Sequence, residues 1–209
     1  MKQQDLLSKS YVKKLESVQK LISLSFIFIL ISCGDTIQPT LDAFEVENDV
    51  FESGKSLISL PFDLHELGEV TVDQNTLLIG VHGSNSRGYE WIYPLQRLDN
   101  DGNMVSFFRW DDNACPNPSM NTLLTLIKQK FYDNPNLNKV ILLGHSYGGL
   151  LAVAFAEAWD MDVPLQIHSI AAPLKGMGII NSICDYKLPD ILKNNIELHQ
   201  WRTIKAVSY

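Results

Sequence analysis

The sequence predicts an α/β fold: a mostly parallel sheet with helices on both faces, built in three layers. Two observations carry this. Three apolar runs, "NTLLIGVHG" (Asn75 to Gly83), "NKVILLGHS" (Asn138 to Ser146) and "PLQIHSIAAPLKG" (Pro164 to Gly176), have the continuous hydrophobicity of strands covered on both sides. Helical patterns lie between them with short connections, and strand, helix, strand in that rhythm requires parallel crossovers. With 209 residues, 45% hydrophobic and 20% charged, the chain is long enough for one domain with a real core.

The elements follow in order. Residues 33–52, acidic and with little apolar periodicity, read as a tether, and the domain proper as 53–209. After the first strand, "SRGYEWIYPLQRL" is helical in part, with Pro94 restricting where the helix begins. An Asp-Gly turn introduces a strand from about Asn103 to Trp110. In "PNPSMNTLLTLIKQKFYDNP", Ser119 or Asn121 can cap a helix whose Leu123, Leu124, Ile127 and Phe131 recur at helical spacing, and Pro135 stops it. "YGGLLAVAFAEAWD" is a helix of small and straight-chain residues. Residues 174–195 suit a lid or cap, and "IELHQWRTIKAVSY" opens as a strand.

The first 32 residues differ from the rest. Lys2, Lys9, Lys13, Lys14 and Lys20 precede the apolar block Leu21 to Ser32, the layout of a signal peptide, although a buried helix or short membrane anchor has the same pattern. The block ends in "LISC", which resembles the lipobox of bacterial lipoproteins with Cys33 as the lipidated residue. Removing 1–32 discards five lysines against Asp5 and Glu16, so the net charge goes from -7 to -10. An acidic surface argues against a nucleic-acid partner, and attachment to a membrane would come from acyl chains on Cys33. Export would place Cys115 and Cys184 where a disulfide persists; a bridge and two buried thiols both fit. No cluster of His, Asp and Cys at metal-ligand spacing is apparent, and no cofactor is implied.

The chemistry gathers at "GHSYG", which matches G-x-S-x-G where a strand runs straight into a helix. Gly144 and Gly148 must lack side chains for the turn to form, and the N–H groups at the helix start can stabilise an oxyanion. On "GHSYGG", "VHG" at Val81 to Gly83 and "IAAPLKG" at Ile170 to Gly176, the chain resembles the α/β-hydrolase family, and within it the lipase and esterase branch, over about residues 75–176. The resemblance implies Ser146 as nucleophile, Tyr147 N–H and Ser84 N–H as oxyanion donors, an ester or lipid ester as substrate, and no cofactor. His82 is expected to order its loop, His145 to point away from the site and pack, and Tyr89 and Trp91 to be core or to border an acyl pocket.

The family order is Ser, then Asp or Glu, then His. Only His168 and His199 follow Ser146, and His168 lies inside a strand; Asp185 and Asp190 can each be paired with His199 on paper, and Asp190 with His199 is the candidate pair. The competing expectation is that the chain is C-terminally incomplete and its sheet lacks the last strands. A serine ester hydrolase, a catalytically inactive relative with a binding role, and an acyltransferase are the readings that result.

Overall fold

The computed structural model describes residues 40–44, 49–176 and 178–202. The signal-peptide expectation and Cys33 lie outside these residues.

Six strands form one sheet: β1 (Leu64–Glu66), β2 (Thr76–Val81), β3 (Asn103–Phe108), β4 (Lys139–His145), β5 (Leu165–Ile170) and β6 (Ile196–Trp201). Their order is β1-β3-β2-β4-β5-β6. β1 runs antiparallel to β3, and all other neighbours are parallel. From β2 the chain crosses first to one side, into β3, then back over to β4 on the other. The strand order therefore reverses at β2, leaving a crevice beyond the carboxyl ends of β2 and β4, where open α/β sheets bind ligands.

Each strand feeds two cores, because successive side chains point to opposite faces. On one face Leu77, Ile79 and Val81 of β2, Val140 and Leu142 of β4, and Leu165 and Ile167 of β5 pack under α3 (Pro116–Asp133) and α4 (Tyr147–Ala158). On the other, Leu78, Val105, Phe107 and Leu143 pack under α1 (Val50–Ile58) and α2 (Tyr89–Leu98), through Leu57, Trp91, Ile92 and Leu95. Helix α4 is buried on almost every side, which is why its sequence shows so little polar face. On the α2 side the character of the sheet changes toward β6. Gln166, His168, Glu197 and His199 succeed the aliphatic residues there, and the His168 ring stacks on His199 at 4.8 Å and on Trp201 at 5.9 Å.

Several expectations are corrected. The stretch read as a tether contains a docked segment: Leu41 and Phe44 are buried in the α2-side core. The Leu41 N–H donates to Leu67 O (2.6 Å), and Gln96 Nε2 donates to both Leu41 O (2.8 Å) and Phe44 O (2.9 Å). Leu41 and Phe44, set in an acidic run, supply the burial that ordering requires. Helix α3 begins at Pro116, with Cys115 at the cap position, so Ser119 and Asn121 lie within the helix. Proline suits the first turn because its missing N–H has no partner there anyway. Pro94 lies inside α2 rather than marking its start, and β3 ends at Phe108, two residues before Trp110. Tyr89 is exposed and leans on Phe51 at 5.1 Å, whereas Trp91 is core.

A disulfide joins Cys115 to Cys184, with Cα atoms 5.4 Å apart. It ties the loop before α3 to the end of α5 (Gly178–Ile183), within the segment expected to be a lid. That segment has further moorings. Tyr186 is buried, its hydroxyl donating to Leu174 O (3.3 Å), and burial, then the charge of Glu157, pushes its phenol up to about 12. Lys193 Nζ donates to Trp159 O, and Asn195 Nδ2 to Met161 O (2.9 Å) and Val163 O (3.1 Å).

Candidate active site

Ser146 stands between the last residue of β4 and the first of α4, with φ 53 and ψ -117. A non-glycine residue pays roughly 1–3 kcal/mol for such a backbone, so the surroundings must impose it. They do so by contact. The Ser146 N–H donates to Ile170 O at the end of β5 (2.9 Å), while Ser146 O accepts from Gly149 N (3.0 Å) and Leu150 N (3.3 Å). A side chain at Gly148 would place Cβ 2.3 Å from Val81 O and 2.4 Å from His82 O; one at Gly144 would meet Gly148 O at 2.4 Å. The second glycine of the "YGG" pair is equally constrained, since a Cβ on Gly149 would lie 2.6 Å from that of Ala172. Its role escaped sequence reading because G-x-S-x-G does not include it. The doubled glycine was the available signal.

Opposite this turn lies the loop after β2. A Cβ on Gly83 would sit 3.0 Å from Ser146 Cβ and 2.9 Å from His145 O, so the loop presses directly on the serine. Ser84 follows on the exposed side. The Tyr147 N–H, first in α4, is one of the donors a helix leaves without an internal partner. The Tyr147 ring packs on Trp110 at 5.0 Å and its hydroxyl donates to Ala114 O (2.9 Å); burial and the charge of Asp112 raise its pKa. Tyr147 thus stays a neutral donor and stitches α4 to the β3–α3 loop that ends at Cys115.

The strand order, the crossovers and this strained turn make one pattern. The fold is α/β-hydrolase-like. No family model matches the chain. Over 93 residues, 39% of this chain, it is 34% identical to a proline iminopeptidase of Saccharolobus solfataricus, and it spans 29% of that protein's length. Esterase B from Lactobacillus rhamnosis, solved with a tributyrin phosphonate inhibitor, superposes with a TM-score of 0.41 at 16% identity. That match covers 52% of this chain and 42% of the esterase. The same esterase with a second inhibitor gives the same values.

All five histidines are among the described residues, and none hydrogen-bonds Ser146 Oγ. His65 contacts Pro61 O (2.8 Å). His82 is buried, with its ring nitrogens engaged by Gly83 O and Arg109, as expected of a residue that orders its loop. His145 turns to the α2 side and lines an apolar groove of about 440 Å³ with Trp91, Pro94, Leu143, Ile170 and Trp201. His168 accepts from Trp201 Nε1 at Nδ1 (3.0 Å), and its pKa is lowered by burial, then by His199 and Lys139.

The structure does not bring Asp190 and His199 together. His199 stands in β6 opposite His168, two residues before the strand's end; its Nε2 meets Gln166 (3.2 Å), and the carboxylate beside it is Glu197 (3.6 Å). Asp190 is exposed in the irregular stretch between α5 and β6. β6 pairs with β5 alone, and that ladder fixes the His199 backbone opposite His168, with the two rings stacked on the face of the sheet rather than beyond its carboxyl edge where Ser146 lies. Among the described residues no group of three or more His, Cys, Asp and Glu is placed to hold a metal.

Proposed function

We propose that Ser146 is the nucleophile of a serine hydrolase that cleaves carboxylic esters, lipid esters included, through an acyl-enzyme. The observation that carries this is the Ser146 turn itself. A strained, half-buried serine at the carboxyl end of a central strand, with a helix start on one side and the Gly83 loop on the other, supports a nucleophile served by backbone donors from both. In the reaction Ser146 Oγ attacks the ester carbonyl, its proton passes to a base, and the oxyanion is met by the N–H groups of Tyr147 and Ser84. The alcohol leaves with a proton, and water then releases the acid. The apolar groove bordered by His145 and Ile170, which flank the turn, suits a hydrocarbon acyl group.

A second reading is favoured by one observation, the lack of any histidine on Ser146 Oγ: the site binds an ester or acid without cleaving it. A fluorophosphonate probe separates the two. Labelling of the full chain that is lost in Ser146→Ala supports an activated nucleophile; folded protein that remains unlabelled supports binding alone. Acyl transfer to an added alcohol in place of water would mark an acyltransferase.

We further propose that the protein is exported and held at a membrane by lipidated Cys33. The Cys115–Cys184 bridge supports this, because such bonds persist in oxidising compartments. Metabolic labelling with a palmitate analogue, lost in Cys33→Ser, tests it.

A further inference from the structure

Behind the loop that presses on Ser146, His82 is held by two consecutive residues. Arg109 Nη1 donates to His82 Nε2 at 2.6 Å, the Trp110 N–H donates to the same nitrogen at 3.3 Å, and Trp110 Nε1 donates to His82 O at 3.0 Å. His82 Nδ1 lies 2.9 Å from Gly83 O. A guanidinium has donors and no acceptor, so Nε2 must present its lone pair, and in a neutral imidazole the proton then resides on Nδ1. That proton binds the Gly83 carbonyl. Gly83 C=O and Ser84 N–H belong to one planar trans peptide, so they point in opposite directions.

We infer that Arg109 is a positioning residue: by occupying His82 Nε2 it keeps the imidazole proton on Nδ1, and that proton turns the Gly83 carbonyl inward and the Ser84 N–H out toward Ser146. This rests on the reading of Ser84 N–H as an oxyanion donor. The opposite tautomer would set a donor against the Arg109 donor at 2.6 Å and a lone pair against the Gly83 carbonyl. An imidazolium would add charge repulsion to the first of these faults. Burial, together with the Arg109 charge, accordingly holds the His82 pKa below its ordinary value, against the pull of Gly83 O, Asp112 and Glu90.

Arg109 is itself fixed from the strand edge. Its N–H donates to Asp63 O (2.9 Å), its Nε to Leu60 O (3.3 Å), and its guanidinium lies over the Phe62 ring at 5.2 Å. Among the described residues no carboxylate is within ion-pair distance of it, so the fork is aimed at His82 by the Leu60 carbonyl and the Phe62 ring, with the charge of Asp112 acting from farther away. Lysine could supply one donor at this place, and methionine none.

The test is the tautomer. Full-length protein labelled with 15N at histidine is examined by long-range proton–nitrogen correlation, with His82→Asn used to assign the signal. The wild type should show His82 protonated at Nδ1 and bare at Nε2; protonation at Nε2 overturns the inference. Arg109→Met should admit the second tautomer, and Arg109→Lys should restore the first; an unchanged spectrum in a folded Arg109→Met protein also overturns it. Fluorophosphonate capture at Ser146 should slow about 10-fold or more in Arg109→Met and recover in Arg109→Lys, given that loss of a whole oxyanion donor costs about 100- to 1,000-fold. If the tautomers behave as expected while no variant, wild type included, captures the probe, the Arg109 role stands and the hydrolase reading fails. Should Arg109→Met not fold, the wild-type spectrum still decides.

Discussion

Removing the Cys115–Cys184 bridge should lower stability by an amount its span predicts. The two residues are 69 apart in sequence. In the chain-entropy account, opening a loop of about 70 residues returns roughly 15 cal/mol/K to the unfolded chain, or about 4 kcal/mol at 25 °C. With a urea m-value of about 2 kcal/mol/M for a domain of this size, the midpoint should fall by roughly 2 M. The comparison is between the oxidised protein and the double variant Cys115→Ser, Cys184→Ser, which avoids leaving an unpaired thiol. Tryptophan fluorescence follows the transition, since Trp110 and Trp159 are buried in the same core. A midpoint shift below about 0.5 M would refute the reasoning, because it would mean that the unfolded chain gains little freedom. Two free thiols in the native oxidised protein would refute the bridge itself.

Other outcomes follow from the same structure. Gly148→Ala should destabilise by about 2–3 kcal/mol and abolish probe capture, because its Cβ would meet two backbone oxygens of the neighbouring strand and loop, which cannot swing aside as a flexible side chain can; a urea midpoint checks it. Ser146→Gly should raise stability by about 1–2 kcal/mol while Ser146→Ala does not, since only glycine relieves the positive φ; thermal unfolding of both shows whether the strain is real. His82 and His168 have folded pKa values below the ordinary 6.5, so their neutral rings favour the fold. Their contribution is complete above that pH and is lost as pH falls through 6.5 toward the lower folded values. Urea midpoints should therefore decline on acidification across this range, and less steeply in His168→Gln; a flat profile contradicts the assignment. Tyr147→Phe should cost about 1 kcal/mol by leaving Ala114 O without its donor, measured in the same way.

Much of this architecture was legible. Strands β2, β4 and β5 and helix α4 announce themselves because both faces of the sheet are covered there, so short apolar runs such as "VILLG", bounded by glycine, read as buried strands. The serine turn was legible from its context, since "GHSYGG" follows the apolar run of β4 and opens the helical run of α4. What escaped notice was held by tertiary contact. β1 is three residues long and takes its place by pairing with β3, and Leu41 and Phe44 are two apolar side chains in acidic surroundings whose partner, Gln96, is more than fifty residues away. Local pattern cannot register a carbonyl that finds its donor across such a distance. The histidines misled for a related reason. His199 had the right place in the order for a base, but its strand partner His168 sets where its ring goes, and that pairing is a property of the sheet.

Neighbouring residues of β2, Leu77 and Leu78, serve opposite cores, and the same alternation runs through β4. Register in this sheet is therefore a discrete setting: a slip of one residue would exchange the contents of the two cores, with no partial slip that satisfies either. The setting also fixes the span of the site. Val81 lies opposite Gly144, which places the Gly83 loop and Ser146 at matching heights beyond the two strand ends. One step of slip would displace them by about 3.3 Å, longer than the hydrogen bond by which an oxyanion is held. The alternating pattern in the middle of the sheet thus acts as the ruler for the spacing at its edge.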